Sequence, residues 1–417
     1  MASTTAPMTV QQIKHHRAGY LALSTFTLLF LGLIYAFSMF AAPMGQAFGL
    51  EKTAVGLTFN IMMIAFCVGA ILGSQIERAL GLRAAILTSA LFFLGGFAGC
   101  GLLGHNGIMA VYLLYGVLGG LGVGIGYNSI IATTNVWFPE KVGFSSGVLM
   151  MGFGLGSLIL GTLAVNLIPA AGLTAVFVGI GAATGVVTAV EAFVLRKPPA
   201  DVVALMAPEK LAEAGDDPAQ NESIFKSPTF YVYYVWAIIV IAIGLATIGN
   251  CASDAQLVGW DAGFATLLVG LVSTCNGLAR VVIGLLYDKT NVKVTMLIEG
   301  IVAAAAAGCI IGAFTLGQPV LYVVGAFCCG FCYGGVPVVA SAFARQRFGS
   351  ARYPFNLSIV NFAIVFGSLL NVALQAAVGA DHRLALFTVL LVLSAVALAD
   401  VLPFAKLWNR DMKRLGK

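Results

Sequence analysis

The feature that most limits what this chain can fold into is a series of long apolar runs. Two examples are "YLALSTFTLLFLGLIYAFSMFAA" from Tyr20 and "LALFTVLLVLSAVALADVLPFA" from Leu384. About 20 apolar residues cross the ~30 Å hydrocarbon core of a bilayer as an α-helix, and lipid offers the backbone no hydrogen bonds that would allow an irregular path. Only 9% of the 417 residues are charged, against about 25% in soluble proteins. The sequence therefore predicts an all-α integral membrane protein.

We predict twelve transmembrane helices in two pseudo-symmetric six-helix bundles. The N-terminal bundle comprises residues 1–195 and the C-terminal bundle residues 228–417, and residues 196–227 form a cytoplasmic linker rich in proline and charge. The first run lacks a convincing cleavage site, so we keep it as a mature helix. The predicted helices cover residues 18–45, 53–76, 83–104, 107–136, 142–168, 172–195, 228–252, 260–287, 293–315, 318–345, 353–379 and 383–407.

The distribution of Lys and Arg predicts the orientation. With the N-terminus inside, 19 of the 22 Lys and Arg residues fall in cytoplasmic segments, only Lys52 and Arg383 fall outside, and the remaining one is Arg280. Because basic residues concentrate on the cytoplasmic side, we expect both termini in the cytoplasm and a multi-pass location in a plasma membrane of the bacterial inner-membrane type. The net charge of +5 then reflects topology, and we expect the lipid bilayer rather than nucleic acid as a partner.

A weak internal repeat relates the two halves. "GSQIERALGLR" (Gly73 to Arg83) and "GLLYDKTNVKV" (Gly284 to Val294) lie 211 residues apart, and each places an acid and then a base after a glycine and three further residues. Two six-helix halves carrying this signature resemble the major facilitator superfamily. The first copy departs from the family pattern by one extra residue before Gly81, and the second has Asn291 in place of a glycine, a change that a left-handed turn tolerates.

The resemblance implies that the halves rock about a site near the membrane midplane. It also implies that the charged residues of the two signatures make state-dependent contacts at the cytoplasmic ends of the helices, although simple anchoring of loops is an alternative. The first signature has a glutamate where the family usually has aspartate. These candidate gating residues are Glu77, Arg78, Arg83, Asp288, Lys289 and Lys293.

Arg280 is the one basic residue predicted near the middle of the membrane. It lies eight residues before Asp288, which is about 12 Å along a helix. A central arginine is costly in lipid and rarely persists without a partner or a function. Ser273, Asn276 and Gly284 share its helical face, so this face must point into protein or water.

No acidic residue is predicted close enough to neutralise Arg280. Three acids lie toward the inner ends of helices and three near the outer surface, and all four histidines fall in termini or loops. The planar guanidinium fork matches a carboxylate, so an anionic substrate accounts for the arginine more simply than a structural ion pair, which is the alternative. The acids are Glu191, Glu299 and Asp400 on the inner side, and Asp254, Asp261 and Asp381 on the outer side.

The eighth predicted helix indicates which branch of the superfamily the chain resembles. Asn276 and Arg280, followed by "YDK", resemble the monocarboxylate transporters and the related oxalate/formate antiporters, in which a helix 8 arginine binds the carboxylate. The glycine-spaced "VWFPEKVGFSSGVLMMGFGLGSL" from Val136 fits the same branch. Two positions depart from it: Asn276 replaces a frequent aspartate, and "YAFSM" places Met39 where relatives have a lysine.

The resemblance implies a secondary active transporter that moves small monocarboxylates such as lactate or pyruvate by alternating access, with proton symport as the coupling. Exchange of organic anions of the oxalate/formate type is the alternative. A site with one strong cation favours a monoanion over a dianion. Since Asn276 cannot ionise and arginine keeps its proton, a coupled proton must use a peripheral acid or travel with the substrate carboxylate, and we favour the second route.

Further residues are candidates for lining the site. Tyr127 and Tyr333 lie in glycine-rich stretches at comparable depth, where a phenol can donate to a carboxylate or simply pack. Ser273 shares the face of Arg280, Met39 takes the position of the lysine, and the intramembrane amide of Asn361 has helix–helix hydrogen bonding as its alternative role.

Other functional classes fit the sequence less well. There is no HExxH motif and no pair of central carboxylates, so we expect neither an enzyme nor a cofactor or metal site. A channel needs repeated rings of polar or charged residues along its pore, and this sequence has only one charge near the middle of the membrane. The eight cysteines, including the CxxC pair Cys329 and Cys332, lie in apolar runs and are expected to be packing residues.

We predict that single cysteines introduced at Lys14, Asn221 and Lys413, in a background without native cysteines, resist an impermeant thiol reagent added outside intact cells. One introduced at Gln318 reacts, because it lies in an outer loop. Labelling after permeabilisation controls for intrinsic reactivity, and the reversed pattern would refute the orientation.

Overall fold

The computed structural model describes residues 10–198, 202–206, 222–248, 250–349, 352–379 and 382–416, and these residues form helices and connecting turns. Twelve helices within them are long and apolar enough to cross a membrane. The prediction of an all-α integral membrane protein with twelve transmembrane helices is confirmed.

We label the membrane helices α1–α12. Two are interrupted: α1 contains the 3₁₀ turn Gly32–Ala36 between Val10–Leu31 and Phe37–Phe48, and α11 comprises Tyr353–Asn361 and Ala363–Val378. The others are α2 (Lys52–Leu80), α3 (Leu82–Leu103), α4 (Ile108–Val136), α5 (Val142–Ala171), α6 (Leu173–Val194), α7 (Pro228–Ile248), α8 (Ala262–Lys289), α9 (Val292–Leu316), α10 (Pro319–Phe348) and α12 (Arg383–Arg414).

Twelve successive crossings bring both ends of the described chain and the segment between α6 and α7 to one end of the bundle, which we call the linker side. Short helices without labels are Val202–Met206 in that segment and Cys251–Leu257 on the opposite side. We refer to α1–α6 as the N half and to α7–α12 as the C half.

The residues that join the helices at the two signature turns have different backbone conformations. Gly81 between α2 and α3 has φ 92°, a left-handed conformation that suits glycine. Asn291 between α8 and α9 is extended instead, with φ −172°, and its side chain accepts hydrogen bonds from the amides of Lys293 (3.0 Å) and Val294 (3.1 Å). The expectation of a left-handed Asn291 is therefore wrong, because asparagine serves here as a helix N-cap.

The halves touch most closely along α5 and α8. The space that a Cβ on Gly284 would fill holds the carbonyl oxygen of Gly143, and the corresponding space at Gly147 holds the backbone of Arg280. Any larger residue at these glycines would separate the helices. This contact explains Gly143 and Gly147 and sets Arg280 against the N half, whereas Gly152 and Gly156 of the same helix meet α1 of their own half.

Buried ion pairs join helices of the C half to one another at both ends of the bundle. On the linker side, Arg347 is fully buried and binds Asp411 (2.8 Å) at the end of α12 and Glu222 (2.8 Å) before α7. On the opposite side, Arg383 pairs with Asp254. Breaking such a buried pair from one side leaves an unpaired charge and costs about 3–5 kcal/mol, so each pair holds its helices in a fixed arrangement.

Candidate functional site

Arg280 lies at the contact between the halves and is 2% exposed. Its Nη1 donates a hydrogen bond to the carbonyl oxygen of Met150 in α5, and its Nε lies 3.4 Å from Oδ1 of Asn276, one turn earlier in α8. None of the ion pairs formed by the described residues includes Arg280. The guanidinium charge is thus solvated only by neutral oxygens.

A glycine of α5 leaves room for the guanidinium. A Cβ on Gly154 would lie 3.4 Å from Cζ of Arg280, which is ordinary van der Waals contact. The small-residue face of α5 therefore serves two purposes: Gly147 admits the backbone of α8, and Gly154 faces the charged head group. A larger residue at position 154 would crowd the head group.

Three tyrosines surround this charge. Tyr127 of α4 and Tyr333 of α10 are both buried and both interact electrostatically with Arg280. Tyr35, in the 3₁₀ turn of α1, interacts with both of them and shares a hydrogen bond with Tyr333. Sequence reasoning missed Tyr35, although its "YAF" context was the motif used to place Met39.

Aromatic rings of the N half line the same region. Phe153 of α5 packs against Tyr35 at 5.4 Å and against Tyr127 at 4.8 Å, and Phe66 of α2 packs against Tyr127 at 5.3 Å between ring centroids. An apolar wall facing one cation suits a ligand with a single anionic group and a short apolar body.

The other residues predicted to line the site lie at different distances from Arg280 and on different helices. Asn276 packs its backbone and side chain against Gly334 of α10, beside Tyr333. Ser273 is half-buried on α8, about 10 Å along the helix from Arg280. Met39 lies against Gly161, in a π-helical stretch of α5.

Asn361 marks a break in α11. It ends the first segment of that helix, is 4% exposed, and leaves both amide atoms buried without a hydrogen-bond partner. Broken membrane helices commonly border transport sites. The predicted choice between substrate contact and helix–helix bonding stays open for this residue, since neither is made here.

A neutral hydrogen-bond network joins the halves on the linker side of Arg280. Asn135 of α4 donates to Ser146 of α5 (2.7 Å), to Ser341 of α10 (3.2 Å) and to the hydroxyl of Tyr353 in α11 (3.0 Å). Ser341 also bonds Ser146 (2.7 Å) and Tyr353 (2.6 Å). We call these four residues the linker-side network.

Sequence reasoning missed this network. Asn135 and Ser341 each lie eight residues after a site tyrosine, Tyr127 or Tyr333, which is about 12 Å of helix. This common spacing along α4 and α10 is the signal that could have found a polar layer on the linker side of the site.

The two acidic signature residues make different contacts. Asp288 accepts hydrogen bonds from the amides of Gly143 (2.9 Å) and Phe144 (2.7 Å), and so caps the N-terminus of α5 in the other half, where the helix dipole favours an anion. Glu77 instead pairs with Lys197 (2.8 Å), three residues after the end of α6 at Val194, and its Oε2 is buried without a partner.

A cavity of about 700 Å³ lies beside Glu77, where α2 faces the start of α11, and its lining includes Arg78, Arg352 and Tyr353. Of the remaining signature residues, Arg83 stacks on Phe193 at 5.2 Å. Lys293 donates to Asn409 at 2.9 Å, and Lys289 is exposed. A gating role for this set stays a prediction.

Comparisons with known proteins agree with a membrane carrier of two six-helix halves. The family model of the Major Facilitator Superfamily matches residues 21–370, so the chain belongs to that superfamily and is a transporter rather than an enzyme.

Relatives point to the branch expected from the sequence. The oxalate:formate antiporter of Oxalobacter formigenes is 24% identical over 95% of this chain and 94% of its own. Monocarboxylate transporter 12 of Rattus norvegicus is 30% identical over 24% of this chain and 19% of its own. Among solved structures, the proton:xylose symporter XylE has a TM-score of 0.74 at 12% identity, covering 93% of this chain and 95% of its own.

We predict that Tyr353→Phe favours opening on the linker side. The variant loses a hydroxyl that bonds Asn135 across the halves and Ser341 within the C half. One net hydrogen bond of about 0.5–1.5 kcal/mol corresponds to a roughly 2- to 13-fold shift in the open-to-closed ratio. Spin labels at the exposed positions Lys141 and Lys289, in a background without native cysteines, report the shift as a larger population of long distances.

Tyr112→Phe is the matched control. It also removes a partly buried hydrogen bond, which the Tyr112 hydroxyl donates to the carbonyl oxygen of Ala54 at 2.8 Å. This hydrogen bond lies within the N half. Equal distance distributions for Tyr353→Phe and Tyr112→Phe would mean that the linker-side network does not hold the halves together.

Proposed function

We propose that the protein is a secondary active transporter of small monocarboxylates, of the size of lactate or pyruvate, and that Arg280 binds the carboxylate. The observation that carries this proposal is the buried charge of Arg280, which no acidic residue of the described chain neutralises. A carboxylate would supply the missing charge and accept two hydrogen bonds from the guanidinium.

The surroundings of Arg280 support a small monoanion. Tyr127 and Tyr333 offer hydroxyls near the guanidinium, and Phe153 and Phe66 offer apolar rings. There is no second cation among the residues we found at the site, so a dianion would leave one charge unpaired. The substrates named for these relatives, oxalate with formate and monocarboxylates, are likewise short carboxylates, of which oxalate alone carries two carboxyl groups.

We propose proton symport as the coupling. Of the outer acids that could carry the proton, Asp254 is paired with Arg383, and Asp261 caps α8 by accepting from the amides of Gly263 (2.8 Å) and Phe264 (3.0 Å). Asp381 lies outside the described residues. These contacts disfavour proton binding by the outer acids. The proton carrier is then the substrate carboxylate or a buried acid.

Anion exchange is the second candidate. It is favoured by the relative that aligns with 95% of this chain, which is named as an antiporter. Exchange needs no titratable group at the site, and Asn276 beside Arg280 provides none. Under either mechanism we propose that the linker side is cytoplasmic, in agreement with the arginine and lysine distribution.

We predict that Arg280→Ala inserts and folds but loses carboxylate counterflow by at least about 100-fold, since two hydrogen bonds to a charged group contribute about 1.5–3 kcal/mol each. Arg280→Lys is also severely impaired, because an ammonium cannot reproduce the planar fork. Counterflow of labelled lactate, pyruvate, acetate and formate in proteoliposomes measures the loss.

Arg410→Ala serves as the control, because its side chain is 62% exposed on α12 and lies away from the site. We expect it to transport as the unmodified protein does. Normal counterflow by Arg280→Ala would remove the basis of the proposal.

We predict that an inward proton gradient drives accumulation of the transported monocarboxylate, because symport moves one proton with each anion. A pH-sensitive dye inside the proteoliposomes reports acidification that follows uptake. If the internal pH stays constant after correction for passive entry of the undissociated acid, exchange is the better description.

A further inference from the structure

A second buried ionisable group without a partner lies behind the site. Glu299 of α9 is fully buried, and both of its carboxyl oxygens lack a hydrogen-bond partner. The ion pairs of the described chain do not include it. A carboxylate buried without a cation is so unfavourable that the group keeps its proton instead. This packing therefore suits the protonated, neutral form of Glu299.

The repeat shows that packing does not require a glutamate at this position. Oε1 of Glu299 fills the space that a Cβ on Gly335 of α10 would occupy. In the N half, 210 residues earlier, Ser89 makes the same contact with Gly126 of α4. Ser89 is satisfied by a 2.6 Å hydrogen bond to the carbonyl oxygen of Gly122. A small neutral residue thus fills the equivalent gap at no electrostatic cost.

Two unpartnered donors accompany the carboxyl group. Trp236 and Tyr233 of α7 are fully buried, and Nε1 of the first and the hydroxyl of the second have no acceptor. Tyr233 interacts electrostatically with Glu299, and Trp236 Nε1 lies 3.9 Å from the Cβ position of Gly300, the next residue along α9. These donors are placed to stabilise an ionised Glu299 after a small movement.

The remaining neighbours add no cation. From α10, Cys332 interacts electrostatically with Glu299. From α8, Tyr287 interacts with Tyr233. From α12, Leu398 packs against Gly300, and Asp400, two residues further on, has a buried Oδ2 without a partner. The groups that face this region from all four packed helices are thus neutral or acidic.

Glu299 lies at about the depth of Arg280. It is seven residues from the start of α9 at Val292, and Arg280 is nine residues from the end of α8 at Lys289, which correspond to about 10 and 13 Å from the linker side. The Cβ position of Gly335 contacts Glu299 and also Ile283 of α8, three residues from Arg280. Gly335 and Ile283 thus connect Glu299 to the helix that carries Arg280.

We propose that Glu299 is the proton-binding residue of the transporter, and that its proton is exchanged in step with the anion on Arg280. This inference rests on the proposed carboxylate symport. When the carboxylate is bound, it neutralises Arg280 and Glu299 holds its proton. When the carboxylate leaves, the charge of Arg280 favours release of that proton, and the two buried charges then balance each other.

The cycle conserves charge and atoms. One anion and one proton bind from the same side and leave to the other, so that the protein carries the same net charge when loaded and when empty. Because linkage is reciprocal, the bound anion raises the proton affinity of Glu299 by the same factor as the bound proton raises anion affinity. A buried carboxyl group at about the depth of Arg280, but not bonded to it, meets this requirement.

The test uses full-length Glu299→Gln in proteoliposomes, with lactate and pyruvate as probes. We expect accumulation driven by an inward proton gradient to fall by at least about tenfold, within the range of ordinary coupling energies. Counterflow at equal pH, which needs no net proton movement, is expected to fall much less. Glu299→Asp retains a carboxyl group, and we expect it to keep accumulation with a shifted pH dependence.

Glu191→Gln is the matched control. Glu191 is also a fully buried membrane glutamate, but it accepts hydrogen bonds from Ser24 (2.6 Å) and Thr27 (3.2 Å) of α1, in the N half. We expect this variant to keep both counterflow and gradient-driven accumulation.

The outcomes separate this inference from the proposed function. Undiminished accumulation by Glu299→Gln would overturn the role of Glu299 and leave carboxylate symport intact. Loss of counterflow in both Glu299→Gln and Glu299→Asp would assign the residue a structural role. An unmodified protein that exchanges carboxylates without moving protons would also exclude the role of Glu299 while preserving the Arg280 site. An unmodified protein without any carboxylate counterflow would refute the proposed function itself.

Discussion

The buried and uncompensated charge of Arg280 is the constraint on which the rest of the structure depends. In a low-dielectric interior, a guanidinium without a counter-ion is stable only where dipoles replace water. Here a carbonyl oxygen of α5, the amide of Asn276 and nearby tyrosines take that part. The charge therefore fixes the close approach of α5 and α8, and it leaves a binding capacity that an anion completes.

The interactions within a half and between halves differ in strength in a way that suits alternating access. Within the C half, buried ion pairs such as Arg347 with Asp411 are expensive to separate. Between the halves, the linker-side network consists of neutral hydrogen bonds, each with a small net contribution. At the close backbone contact of Gly143 and Gly284, the Asp288 carboxylate adds a helix cap across the halves. The halves can therefore separate while each keeps its own packing.

Sequence reasoning recovered what depends on local composition. The twelve helices follow from apolar length, and Arg280 stood out because a single charge in an apolar run is visible without knowing its neighbours. The contribution of Tyr35 and the linker-side network were missed, because they depend on which helix faces meet across the two halves. Asn291 was misjudged for a related reason: the same residue type serves either a left-handed turn or an N-cap, and only the backbone decides between them.

Departures from the internal repeat show where the halves have taken separate roles. Ser89 and Glu299 fill equivalent gaps, yet only the C-half residue can ionise. Asp288 caps a helix of the opposite half, whereas Glu77, one methylene longer, pairs with Lys197 of the segment that follows α6. A carrier for one anion and one proton needs a single cation and a single acid, and duplicating either would bury a second unpaired charge. Under the proposed symport, this asymmetry in an otherwise repeated fold matches the electrostatics of one small monoanion and one proton.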